Sequence, residues 1–368
     1  MSPRTIFYQF ARIMVGLEFI FSGFVKVVDP YGTGLKLQEY FDVFAQDVPF
    51  FAPVFHLLAN SAQGLSLLFC ASEFILGFAL LVSFRMRITA WIVLGMMGFF
   101  TFLTFYSAFF NKVTDCGCFG DFLKLKPWHS FWKDIISLIF IIPIFLFRKH
   151  YRGFYWSGTL VTLASLVGFG IGIYALLYLP PLDFLPYAKG KSIPDQMAPT
   201  GIAPLIEYTF QEKDSKKQIT TQEYLMDTAR YQYVQSITLN EEEITPKITD
   251  YSISDTLGND WTAESLTGDK VFIAIKKLDS ITPKIWEELR ALYNSKKKGE
   301  VQIWFITSVV PHELARAFRE NDLNAPIYTI DEKVLKTMAR TNPCILQLKQ
   351  GTVVKKWSHR QIPFEINP

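Results

Sequence analysis

The chain has 368 residues, of which 50% are apolar, with 34 Phe, 8 Trp and a net charge of only +3. Its charges crowd the C-terminal half and form no clustered basic face, which excludes a nucleic-acid-binding role; "NSKKKGE" reads as a solvated helix end. Only 4 Cys are present.

The first 180 residues carry apolar segments of about 20 residues, the length that crosses roughly 30 Å of hydrocarbon at about 1.5 Å per residue. They predict spans over 6–28, 62–83, 88–110, 131–148 and 157–180. The first is too long for a signal peptide, contains Arg12, Glu18 and Lys26, and lacks a small-residue cleavage site, so it reads as a retained helix. Short loops with Arg85 and Arg87, and with Arg148, Lys149 and Arg152, are expected on the cytoplasmic side. An odd number of spans then puts the N-terminus inside and everything after residue 180 outside. In a bacterium with two membranes this is the inner membrane, with the C-terminal portion in the oxidising periplasm.

Inside the spans, Glu18 and Glu73 fall near the middle of their segments and are expected to face the bundle interior rather than lipid. Arg12 lies about one and a half turns away from Glu18 and is expected to reach one of the two carboxylates. Lys26 is expected to snorkel outward to the lipid phosphates. An ion pair that sets helix register is the plain reading of these charges; a proton path or a polar pocket for a quinone is the functional one. The connection 29–61, with "EYFDVFAQDVPFFAPVF", is rich in aromatics and interrupted by Pro49 and Pro53, so it is expected to lie at the membrane interface over the bundle mouth.

Between the third and fourth spans stands "DCGCFGD", residues 115–121, at the outer face. Cys116 and Cys118 can close a disulfide only through a sharp bend, which Gly117 permits. Such a ring is small and strained, and strain makes the bond labile. It closes almost no chain, so entropy gives little reason to keep it as a staple. A redox pair, an inert turn and a metal site remain open; exposure and compartment favour the first, and His129 is the only further soft ligand nearby in sequence. No metal is expected. Asp115 and Asp121 flank the pair, and Trp128, His129 and Trp132 follow at the same membrane level, where they would shield the thiols or a ligand.

"RIMVGLEFIFSGFVKVVDP", "SEFILGFALL", and above all "DCGCFGD" followed by "PWHSFWKDI" make residues 1–150 resemble the DoxX/MauE group of membrane proteins. The resemblance implies a four-helix bundle with thiols at its outer face and a link to redox maturation of periplasmic enzymes. It also implies a loose likeness to vitamin K epoxide reductase, which passes electrons to a quinone; a quinone is the one cofactor this allows.

Residues 151–181 then form a fifth helix, and 182–202, rich in Pro and Gly, a linker. Residues 203–249 read as a small polar β segment with no legible role. From 250 to 368 the pattern alternates: "KVFIAIKKL", "VQIWFITS" and "IYTI" as buried strands, "TPKIWEELRALYNSKK", "PHELARAFREN" and "EKVLKTMAR" as helices, and "NPCILQLKQGTVVKKW" as a closing hairpin. This order resembles a thioredoxin-like domain, in which Pro343 maps onto the family's cis-proline. The family's CxxC position is "LDSITPKIW" here, and Asp279 to Thr282 cannot exchange dithiols. Cys344 opens an apolar strand and reads as a buried structural cysteine, so the domain is expected to dock a partner rather than to react.

The expected fold is a multi-span α-helical membrane bundle, a four-helix core plus a fifth helix, carrying a periplasmic α/β thioredoxin-like domain. The expected function is an inner-membrane thiol–disulfide redox component. In it Cys116 and Cys118 act on a periplasmic protein partner that presents a thiol or a disulfide, with lipid around the bundle. The alternative is a non-enzymatic, membrane-anchored assembly or scaffold factor for envelope proteins.

Overall fold

The computed structural model describes residues 3–113, 119–120, 122–123, 125–295 and 301–366. Asp115, Cys116, Gly117, Cys118 and Asp121 lie outside the described residues. The chain divides into two units: Met1–Leu185 with Ala339–Cys344 and Trp357–Ile362, and Pro186–Met338 with Ile345–Lys356 and Pro363–Pro368.

The first unit is helical, with α1 (Pro3–Val28), α2 (Pro30–Asp47), α3 (Ala52–Asn60), α4 (Ala62–Leu81), α5 (Met86–Phe110), α6 (Pro127–Phe147) and α7 (Ser157–Leu177). Among the described residues, α4, α5, α6 and α7 are long and apolar enough to cross a membrane. Helix α1 has 26 residues but carries more charge than those four. It lies antiparallel to α4 at very close range. A Cβ on Gly23 would stand 2.4 Å from the Phe74 nitrogen, and one on Gly77 2.6 Å from the Ile20 nitrogen, so only glycine fits at this crossing. Around it Ala11, Val15, Phe19, Leu76, Leu80, Met97 and Ile141 form one buried cluster.

The 29–61 connection is helical rather than a loop. Pro30 opens α2, Pro49 opens a short 3-10 turn (Pro49–Phe51), and Pro53 sits in the first turn of α3. A proline in the first turn gives up only an N–H that no helical carbonyl would have bonded, so these prolines start helices instead of breaking them. Leu37, Tyr40, Phe41 and Phe44 of α2 pack with Ala59, Ala62, Leu103 and Val113. Elsewhere in this unit Arg340 pairs with Asp29 at 2.7 Å.

The second unit begins with α8 (Ile193–Met197) and an antiparallel sheet of β1 (Ile206–Glu212), β2 (Gln218–Thr221) and β3 (Tyr231–Thr238) in the order β2-β1-β3. After α9 (Glu241–Ile244) come β4 (Ile253–Asp255), α10 (Thr262–Ser265), β5 (Asp269–Ile275), α11 (Pro283–Asn294), β6 (Gln302–Thr307), α12 (Pro311–Glu320), β7 (Ile327–Ile330), α13 (Glu332–Met338), β8 (Cys344–Lys349) and β9 (Thr352–Ser358). Six of these strands form one sheet in the order β4-β7-β6-β5-β8-β9. β5, β6 and β7 run parallel, joined by helical crossovers, and β4 closes the edge antiparallel to β7. Strand β5 is buried from Lys270 to Ile275, as expected of a strand covered on both faces. The peptide between Asn342 and Pro343 is cis, and Cys344 behind it is 0% exposed. The segment Asp279 to Thr282 leads into α11, whose first turn is capped by the Thr282 hydroxyl accepting from the Ile285 N–H.

Candidate functional site

The charged residues of the first unit converge because helix periodicity puts them on facing stripes. On α1, Glu18, Ser22 and Lys26 follow at intervals of four and share one side. On α4, Cys70 and Glu73 lie on the stripe that faces α1. The glycine crossing lets the two backbones meet, and Lys26 Nζ reaches Glu73 Oε2 at 2.7 Å, each side chain only 6% exposed. Lys26 thus turns inward instead of snorkelling to lipid. An inward carboxylate on the neighbouring helix is a better partner for the ammonium than a detour to the headgroups, and the ring of Phe100, 4.8 Å from Nζ, adds a cation–π contact.

A second cluster forms between α1, α5 and α6. Lys133 Nζ lies 2.7 Å from Asp134 Oδ1 and 3.3 Å from Glu18 Oε1. The Ser137 hydroxyl is 2.8 Å from both Glu18 oxygens, and the Thr104 hydroxyl donates to Asp134 Oδ2 at 2.9 Å. Asp134 is 1% exposed, so its two direct partners are what make its burial tolerable. Glu18 and Glu73 therefore both face protein. Arg12 reaches neither of them: its NH1 donates to the Leu80 and Leu81 carbonyls at 2.5 Å and caps the C-terminal end of α4.

Both clusters line one cavity of about 50 Å³, walled on its apolar side by Phe19, Phe69, Met97, Phe100 and Leu103. Helix α2 contributes Thr33, Lys36 and Tyr40 to its lining, and α4 contributes Cys70. Lys133, Asp134, Thr104 and Ser137 were not singled out from the sequence. The signal was present: "KD" stands within the first two turns of an otherwise apolar span, where charges mark a polar interior.

The described residues on either side of 114–118 both rest on this part of the bundle. Val113 is fully buried beside Leu103, and its carbonyl accepts from the Ser107 hydroxyl. On the other side the Phe119 ring meets Phe21 in a tilted contact, centroids 5.8 Å apart, and lies 5.5 Å from Lys133 Nζ, while Gly120 approaches the Val25 and Lys26 side chains. Trp128 and His129 are exposed at the start of α6. Among the described residues, no group of three or more His, Cys, Asp or Glu side chains is placed to hold a metal ion.

Helical spans around a buried polar cluster are what a comparison with known families can address. Residues 4–148 match the family model described as Methylamine utilisation protein MauE. The match covers α1 to α6 and includes every charged residue of the cavity. With four helices suited to crossing a membrane, it makes the chain a membrane protein with a MauE-family domain at its N-terminal end. No curated protein matches the chain.

The quinone that the DoxX/MauE resemblance allows can be tested against the cavity. An apolar void that binds a benzene ring measures about 150 Å³, against about 50 Å³ between these helices. A quinone ring does not fit there.

Proposed function

We propose that this protein is an inner-membrane thiol–disulfide component in which Cys116 and Cys118 exchange with a protein partner on the periplasmic side. Residues 250–368 act as a thioredoxin-like docking module that carries no reactive thiol of its own. In the exchange, a thiolate of the pair attacks the partner's disulfide, forms a mixed disulfide and releases one partner thiolate. The second cysteine of the pair then displaces the other partner sulfur, leaving Cys116–Cys118 oxidised and the partner reduced by two electrons. The reverse sequence oxidises the partner, and the relative reduction potentials set the direction.

The observation that carries this reading is the motif itself: Cys116 and Cys118 stand one glycine apart in the stretch of sequence between α5 and α6, and exposure and compartment are what control thiol chemistry. The match of residues 4–148 to the family of the methylamine utilisation protein MauE supports it at the level of the family. The strand order and the parallel β5–β6–β7 core support the docking module.

The experiment is trapping. Cys116→Ala and Cys118→Ala variants are expressed in the native host, and mixed disulfides are captured by acid quenching and identified by mass spectrometry. One variant is expected to accumulate a defined partner. The scaffold reading rests on the burial of Cys344 in a domain whose sequence offers no other cysteine. It predicts that neither variant traps a partner and that single Cys→Ser changes leave function intact at unchanged protein level.

A further inference from the structure

Size and lining together decide what the cavity of the first unit can hold. At about 50 Å³ it is too small for a ring, yet several times the roughly 10–15 Å³ that one water needs. Among the described residues, every charge on its wall is carried by a helix of the same unit: Glu18 and Lys26 on α1, Lys36 on α2, Glu73 on α4, Lys133 and Asp134 on α6. These are three ammonium groups facing three carboxylates, a lining that favours a neutral guest over an anion or a metal cation. The other titratable side chains on the wall are Tyr40 of α2 and Cys70 of α4, while α5 supplies only the Thr104 hydroxyl. The Thr33 hydroxyl is buried in the wall with only the Cys70 thiol, a weak partner, beside it among the described residues.

We propose that this cavity is a hydrated chamber inside the membrane unit. Its water joins the Lys26–Glu73 pair to the Glu18–Lys133–Asp134 cluster as one hydrogen-bonded network. A lysine ammonium has three donors and a carboxylate about four acceptor sites, and a buried ion pair is stable only when those outside the pair are also met. Water is the guest that can meet both kinds at once. Polar cavities of this size hold it, whereas apolar ones stay dry. The chamber is independent of whether Cys116 and Cys118 exchange thiols.

The test uses the unmodified full chain in nanodiscs and X-ray radiolysis in ¹⁸O-labelled water, which oxidises side chains next to ordered internal water. Met97, 3% exposed, lines the cavity; Met86, 3% exposed, and Met338, 0% exposed, do not. Label is expected in Met97 several-fold faster than in Met86 and Met338, the same side chain at comparable burial. Equal rates mean a dry cavity and overturn the proposal. The joining of the clusters is read by infrared spectroscopy, with the carboxyl signal of Glu73 identified by its loss in Glu73→Gln. That signal is expected to shift in Asp134→Asn; an unmoved signal separates the clusters and overturns the network. Should Asp134→Asn fail to fold, Thr104→Val, which removes the hydroxyl donated to Asp134, serves the same comparison.

Discussion

Lys26 and Glu73 are bonded at 2.7 Å with 6% of each side chain exposed, on helices held together at a glycine crossing. Removing one partner leaves an uncompensated buried charge, which costs about 3–5 kcal/mol, whereas replacing both with apolar groups of similar volume is close to neutral. Glu73→Gln is therefore expected to lower the thermal unfolding midpoint in detergent markedly. Lys26→Met combined with Glu73→Leu is expected to restore most of it. Two equally unstable variants would show that the pair is not the element being lost.

Outside the bundle, Asp255 gives a pH signature. The Asn259 side chain donates to it at 2.8 Å, and backbone N–H groups of Leu257 and Asn259 and the Trp261 indole N–H add further bonds. These bonds, the Asn259 side chain first, pull its carboxyl down to about 2. A depressed folded-state value means stability that is present above the unfolded value, near 3.9, and lost as pH falls toward about 2. Wild type is expected to be the more stable to denaturant at neutral pH, and its lead over Asp255→Ala is expected to shrink as pH drops through that window. A lead that does not depend on pH would mean the turn is held by geometry rather than by the charged carboxylate.

What the sequence could and could not reveal follows from which interactions are local. Strand and helix order from β5 to β9 was readable because each apolar run is a local pattern bounded by turns. The inward placement of Glu18 and Glu73 was readable because lipid penalises a charge whatever the tertiary contacts are. Lys26 was misplaced because its direction depends on Gly23 and Gly77, which bring a distant carboxylate within reach, and nothing local to Lys26 records that. The prolines of 29–61 were read as breakers because a proline opening a helix and one ending a segment look alike until the flanking turns are seen. Lys133 and Asp134 were passed over because they sit where an apolar span begins, and their burial depends on Glu18 and Thr104 on other helices.

The orientation of the bundle rests on the Arg85, Arg87, Arg148, Lys149 and Arg152 loops and is directly testable. With Cys116 and Cys118 changed to Ser, Cys70 and Cys344 are the remaining cysteines, and both are 0% exposed, so they give little background to a thiol reagent. In intact cells an impermeant maleimide is expected to label Asp214→Cys and to leave Arg87→Cys untouched until the membrane is opened. The reverse pattern would put the C-terminal unit in the cytoplasm and remove the oxidising compartment from the redox reading.

The final prediction concerns the pair itself. Cys116 and Cys118 are separated by one glycine, so a bond between them closes a small ring, and strain in a small ring raises the reduction potential. The midpoint is expected at roughly −120 to −200 mV, among the oxidising catalysts, rather than below about −300 mV where structural disulfides lie. Gly117→Val should disfavour closure, since a β-branched residue tolerates fewer backbone conformations. The measurement is alkylation of the purified, folded protein across a graded glutathione series, counted by mass. Cys70 and Cys344 are buried and should stay unmodified until the chain is unfolded, so every adduct on the native protein reports on the pair. A pair that stays reduced in the most oxidising buffer, or a bond that survives strong reductant, would end the case for exchange chemistry at this site.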